Sequence, residues 1–126
     1  MNVNELVAID VHTHAEISTK VEPDEETKAR IAAMAKYFKG TGRPPTIPEV
    51  AAYYRERKMA AVIFPVDSES ASGQRRVSNE EVLEEAAHHS DALIPFVSID
   101  PAKGRMGVRE ARHLLANYPV RGFKEP

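Results

Sequence analysis

The chain contains no cysteine and no tryptophan in its 126 residues. Without thiols it has neither disulfides nor thiolate metal ligands, so any metal must be held by histidine or carboxylate side chains. That composition favours a cytoplasmic location. An excess of one charge is also missing: 17 basic against 19 acidic residues leave a net charge of −2. Such a balance argues against a nucleic-acid partner and against an electrostatic membrane anchor. Long apolar runs are absent too. The longest, Met59 to Val66, is far short of the roughly 20 residues a membrane helix needs. The opening Met-Asn-Val-Asn-Glu has no basic flank or apolar stretch of the signal-peptide kind. What remains, 42% hydrophobic and 29% charged residues, is the make-up of one globular domain spanning 1–126.

Helical and extended patterns alternate along the chain. A first strand is expected from about Leu6 to His14. Pro23-Asp24-Glu25-Glu26 opens a helix with acids where the helix dipole favours them. Ile31, Met34, Ala35 and Phe38 give that helix an apolar stripe, ending near Gly40. Gly40-Thr41-Gly42-Arg43-Pro44-Pro45 is a break. Thr46 and Glu49 form a capping-box pattern for a second helix to about Lys58. Met59–Asp67 reads as a strand apolar on both faces, with Pro65 near its end. Residues 68–78 read as a polar loop, and Ser78 with Glu81 starts a helix to about His89. Leu93–Asp100 is a third strand. A helix from about Gly107 to Asn117 is expected to bury Val108, Ala111 and Leu115, leaving His113 exposed. Val120–Lys124 is a fourth strand.

The order β-αα-β-α-β-α-β predicts an α/β fold of parallel strands with right-handed crossover helices. A dinucleotide-binding sheet would carry a glycine-rich turn after the first strand, and His14-Ala15-Glu16-Ile17 has no glycine. A (β/α) barrel instead puts its chemistry at the C-terminal strand ends. Here those ends carry His12 and His14, Asp67, Ser98 and Asp100, and Lys124. The expected fold is the N-terminal half of a (β/α)8 TIM-type barrel, with a two-helix insertion at about 23–58. That insertion is a candidate lid, with Arg43, Tyr53 and Tyr54 as its polar and aromatic members, Tyr54 alternatively packing in the core.

Ile9-Asp10-Val11-His12-Thr13-His14 is the stretch most suggestive of function. On a regular strand, residues i, i+2 and i+4 share a face, so Asp10, His12 and His14 are expected to project together. Three ionisable groups crowded on a buried face need pairing. A divalent ion, zinc above all, accepts this donor set. The alternative is a pair of histidines hydrogen-bonded to neighbouring loops, with Asp10 either a ligand or an orienting partner.

These residues, with Phe-Val-Ser-Ile-Asp-Pro at 96–101 and Val-Arg-Gly-Phe-Lys at 120–124, resemble the amidohydrolase superfamily in its amidohydrolase-related (ACMSD-like) branch. Tyr54-Arg55-Glu56-Arg57-Lys58-Met59-Ala60-Ala61-Val62 looks closest to members described as 4-hydroxyphenyl-β-ketoacyl-CoA hydrolases. The resemblance runs along the whole chain but covers only the first half of the family's barrel. It implies that His12 and His14 ligate the metal. It also implies that further ligands and the general base belong to the later strands. Relatives often read Gly-Phe-Lys-x-His-Pro at the fourth strand, where this chain has Gly122-Phe123-Lys124-Glu125-Pro126. The implied activity is a metal-dependent hydrolase or lyase using metal-activated water. It would cleave a carbon–carbon bond of a β-ketoacyl-CoA or decarboxylate a small carbonyl or carboxylate substrate.

Asp67, Asp100 and Lys124 are the candidate substrate contacts, against capping for Asp100 beside Pro101 and solvation for Lys124. Arg75-Arg76 is a candidate contact for a CoA phosphate, against a solvated loop. Adjacent His88 and His89 cannot converge on one ion and suit a helix C-terminus. The competing function is a catalytically incomplete half-barrel that binds metal weakly and forms homo-oligomers through its exposed sheet edges.

Overall fold

The computed structural model describes residues 1–37, 43–73 and 75–125. Four strands, β1 (Ala8–His14), β2 (Met59–Phe64), β3 (Leu93–Ser98) and β4 (Gly122–Lys124), form one sheet in chain order. Every neighbouring pair is parallel. Five helices lie between them: α1 (Glu25–Tyr37), α2 (Ile47–Glu56), the single turn α3 (Glu69–Ser72), α4 (Asn79–His88) and α5 (Arg105–Asn117). The sheet is curled, a half-barrel consistent with part of a TIM-like fold. Among the described residues no helix is long and apolar enough to cross a membrane.

The convex side carries the main core. Ile47, Val50 and Ala51 of α2 pack with Val82 and Ala86 of α4 over Ala61 and Ile63 of β2 and Leu93 of β3. A second cluster joins Leu83, Val97 and Leu114, with Ile99, Tyr118 and Val120 against it. Because strand residues alternate, Ala60, Val62 and Phe64 project from the opposite, concave face. All three are buried.

Local chemistry sets several helix ends. The Glu49 carboxylate takes both the Thr46 N–H at 3.2 Å and the Thr46 hydroxyl at 2.8 Å, fixing the start of α2. The Ser78 hydroxyl accepts the Glu81 N–H at 3.1 Å. The reciprocal half of that box is not made. Glu81, nearly fully buried, instead takes the Ser18 hydroxyl at 2.6 Å and the Thr19 N–H at 2.9 Å, tying the first loop to α4.

Three sequence expectations change. The apolar stripe of α1 is not buried: Met34 is 44% exposed, and no described side chain of that helix is fully covered. Its alanines offer little area, and α2 with Ile47 and Val50 takes the seat over β2 instead. Phe38 and the expected helix end at Gly40 lie outside the described residues. Residues 69–72 form a helical turn rather than a loop, closed by Gly73 at φ +67°. Finally, α5 is rotated from its expected face. Gly107 and Leu114 are buried, while Val108 and Leu115 are 51% and 56% exposed. Glu110, drawn into an ion network described below, and Gly107, pressed close to Ile99, determine which side faces the sheet.

Candidate functional site

The C-terminal end of β1 is irregular. Asp10 stands opposite Ala61 and Thr13 opposite Ile63, so β1 takes one residue more than β2 over this stretch. An extra residue in a strand interrupts side-chain alternation. The expected single face for Asp10, His12 and His14 therefore breaks in two. Asp10 and Thr13 turn toward the helices and His12 and His14 toward the concave face.

On the helix side, the Tyr54 hydroxyl donates to Asp10 Oδ2 at 2.5 Å and lies 3.3 Å from Thr13 Oγ1. Asp10 Oδ1 accepts the His12 N–H at 2.9 Å. The Tyr54 bond, then the His12 amide, hold the Asp10 carboxyl below its ordinary value. Burial, reinforced by Asp10, raises that of Tyr54. Tyr54 is thus packed in the core, the second of its two expected roles. Tyr53, 52% exposed, sits beneath the Arg57 guanidinium at 3.6 Å, and Arg43 pairs with Glu49 at 2.8 Å.

On the concave side, the Nε2 atoms of His12 and His14 face each other at 3.0 Å. Both rings stand edge-on to Phe64, with centroids 5.3 and 5.2 Å away. Phe64 is 1% exposed and forms the floor. Lys124 reaches the same ring from β4, its Nζ 5.8 Å from the centroid, and donates to the Glu125 carbonyl. Glu16 Oε1 lies 3.8 Å from His14 Nδ1. A proton on that Nδ1 leaves His14 Nε2 as acceptor and makes His12 Nε2 the donor.

The pair meets part of what a zinc-type ion requires. With Zn–N bonds of about 2.0–2.1 Å, two nitrogens on a tetrahedral ion are roughly 3.3 Å apart, close to the spacing seen. A catalytic zinc takes three protein ligands. Among the described residues no three histidine, aspartate or glutamate side chains are placed to hold a metal ion together.

Asp67 and Asp100 are placed differently from Lys124. Asp67 is fully buried and accepts Arg76 Nη1 at 2.8 Å, Lys103 Nζ at 2.8 Å and the Asp100 N–H at 3.0 Å. Arg76 grips Glu110 with two bonds of 2.9 and 2.8 Å and also reaches the Ser98 carbonyl. Lys103 completes the set on Glu69 at 2.7 Å. Burial works against the charge on Lys103, but Asp67 and Glu69 outweigh it and raise its pKa. Asp100 caps the turn Pro101–Lys103 through the Ala102 N–H at 2.9 Å and takes the Ser70 N–H at 3.2 Å. The Ala102 N–H, then the Ser70 side chain, lower its pKa. Asp67, a candidate substrate contact, is paired inside the fold, and Asp100 takes the capping role that the sequence offered as its alternative. Asn79, bonded to Ser98 and Glu110, had no sequence signal. Glu110 had one, a lone acid in the stripe between Gly107 and Leu114.

Of the remaining histidines, His89 Nδ1 meets Arg55 at 3.1 Å, His88 is exposed at the end of α4, and His113 packs edge-on to Tyr118. Exposed Arg75 lines a cavity with His14.

No family model matches the chain, and neither curated proteins nor solved structures give a match.

Proposed function

We propose that the chain carries the first-strand half of a metal-dependent hydrolase or lyase site. A single observation supports this: two imidazole Nε2 atoms converge at 3.0 Å, on the concave face, at the C-terminal end of β1. A divalent ion there, zinc by the nature of its donors, would supply charge to polarise a carbonyl and activate water. His12 and His14 would hold the ion, each oriented by its edge contact with Phe64. Lys124, on the same ring, would bind a substrate carboxylate or carbonyl oxygen. Val62 and Phe64 would give the reacting carbon an apolar bed that excludes water. No general base is assigned within the described residues. The family resemblance at residues 9–14 supports a small carboxylated carbonyl compound as substrate, and the resemblance at residues 54–62 a β-ketoacyl thioester.

The test is zinc titration of the metal-free protein against a chelating competitor. His12→Ala and His14→Ala should each weaken zinc by more than about tenfold, since even residues that only orient a ligand cost that much. Equal affinity in wild type and the double variant would remove the reading.

A second reading has its own observation. Among the described residues two nitrogens converge without a third ligand, and β1 and β4 each have one edge unpaired, with Ile9 39%, Val11 72% and Phe123 46% exposed. An incomplete half-barrel that binds metal weakly and self-associates through these edges accounts for both facts. Sedimentation across a concentration series separates the two. A mass that rises without any change in zinc affinity favours the second.

A further inference from the structure

The sheet ends in two unlike edges, β1 at one and β4 at the other. Both expose apolar side chains, Val7 and Val11 on the first and Phe123 on the second. Their charges are opposite. Residues 1–19 hold Glu5, Asp10 and Glu16 and no lysine or arginine, whereas β4 has Arg121 before it and ends on Lys124, with Glu125 beyond. Asp10 is tied to Tyr54, but Glu5 and Glu16, one at each end of β1, are exposed. Outside β4, Ile99, Val108, Ala111 and Phe123 line a groove of about 570 Å³ between that strand and α5. An edge strand offers unpaired N–H and C=O groups to another strand. Two copies joined by like edges would run antiparallel there, setting Glu5 against Glu16 or Arg121 against Lys124. Unlike edges joined in parallel instead set Glu5 beside Arg121 and Glu16 beside Lys124. They also continue the parallel order already present.

We propose that two copies of this chain close into one eight-stranded barrel, β4 of each against β1 of the other, so that each histidine pair works beside Lys124 of its partner. A head-to-tail contact ends in a ring when its rotation closes. Four strands curled into half a barrel close with one further copy, at the eight strands of a (β/α) barrel. Lys124 projects into the concave face, where its Nζ lies over Phe64. Within one copy, β2 and β3 stand between Lys124 and His14. Across the seam the two belong to neighbouring strands, about 4.8 Å apart. The partner's β1, with α2 behind it, walls the open side of the groove beside α5. The ring rests on the edge association of the second reading above, and the shared site rests in addition on the metal reading.

Sedimentation equilibrium over a concentration series reads the ring. The mass should rise to that of two copies and stop there. Glu5→Lys and Arg121→Glu, at the strand ends away from the histidines, should each weaken the dimer about tenfold, because an exposed pair is reversed at both seams. Both changes in one chain should restore it, which separates a lost pair from a lost fold. The chain has no cysteine of its own, so oxidising a mixture of Val11→Cys and Phe123→Cys proteins reports which edges meet. The bond should join unlike variants and not like ones. Acetate binding to the zinc-loaded protein reads the shared site. The His12→Ala/His14→Ala variant and Lys124→Gln should each lose it, and mixing the two should regain it, since a mixed dimer keeps one seam with both histidines and a partner's lysine. A mixture that regains nothing would overturn the shared site. If wild type takes no zinc, the metal reading fails and the shared site with it, while mass and crosslink still decide the ring. Mass growing past two copies, or Val11→Cys linked to itself, would overturn the ring and leave edge association standing. A monomer at every concentration would remove both.

Discussion

Tyr54 donates its phenolic proton to Asp10 across 2.5 Å, and that bond separates a carboxylate from the two imidazoles that follow it in sequence. The register slip between Asp10 and Thr13 makes this possible. With a regular strand, Asp10 would stand on the concave face and Tyr54 would bury a phenol with less to bond.

Zinc affinity should therefore depend unequally on the three residues of this segment. Asp10→Asn is expected to change it by less than about threefold, against more than about tenfold for either histidine variant. Competition with a chelator measures all three. A loss in Asp10→Asn as large as in His14→Ala would show that the carboxylate swings round to the ion.

Tyr54→Phe should cost about 1 kcal/mol at neutral pH, one partly exposed hydrogen bond to a carboxylate. The sign follows from Asp10. Its carboxyl is lowered in the folded state, so its stabilisation is complete above the unfolded value of about 3.9. That stabilisation disappears as pH falls through the lower folded value. The gap between wild type and variant should close in that acid range. Denaturant midpoints at neutral and acid pH would check it, and a pH-independent gap would mean that lost packing, not the carboxylate, sets the cost.

Asp67→Asn should be the more damaging change. It removes the fully buried carboxylate that Arg76 and Lys103 each reach at 2.8 Å. Breaking a buried pair from one side costs about 3–5 kcal/mol. Glu110 and Glu69 still hold the two cations, so the lower end is expected in urea unfolding. A loss under about 1 kcal/mol would show that the network rearranges around the gap.

Gly107→Ala sets two effects in opposition. Alanine favours the helix by about 1 kcal/mol, but its Cβ would lie 2.9 Å from Ile99 Cγ2 and 3.4 Å from the Asp100 carbonyl. A branched side chain and a backbone atom yield poorly, and overpacking costs about 1–3 kcal/mol. The clash should win by roughly 1 kcal/mol, read as a lower thermal midpoint. A stabilised variant would show that α5 can shift outward.

Elements built on near neighbours were readable before any coordinates. Met59–Phe64 declared itself by an apolar run, α2 by Thr46 and Glu49, and the parallel order by strict alternation with helices. Each is fixed by contacts within a few residues or by a periodicity of the chain. The face of α5 was not readable, because Val108 and Leu115 are as apolar as Leu114, and the pull of Arg76 on Glu110 and the close seat of Gly107 against Ile99 distinguish them. Asp67 and Asp100 carry the same ambiguity. A carboxylate at a strand end looks the same whether it faces a substrate, a buried arginine as Asp67 does, or backbone amides as Asp100 does.

By itself, the sequence determined that a parallel half-barrel forms and that two histidines sit at the end of its first strand. Tertiary structure alone decided which side chains join them. Strand alternation is a local rule, and one extra residue opposite β2 suffices to overrule it. That slip sends Asp10 to Tyr54 and leaves His12 and His14 together above Phe64.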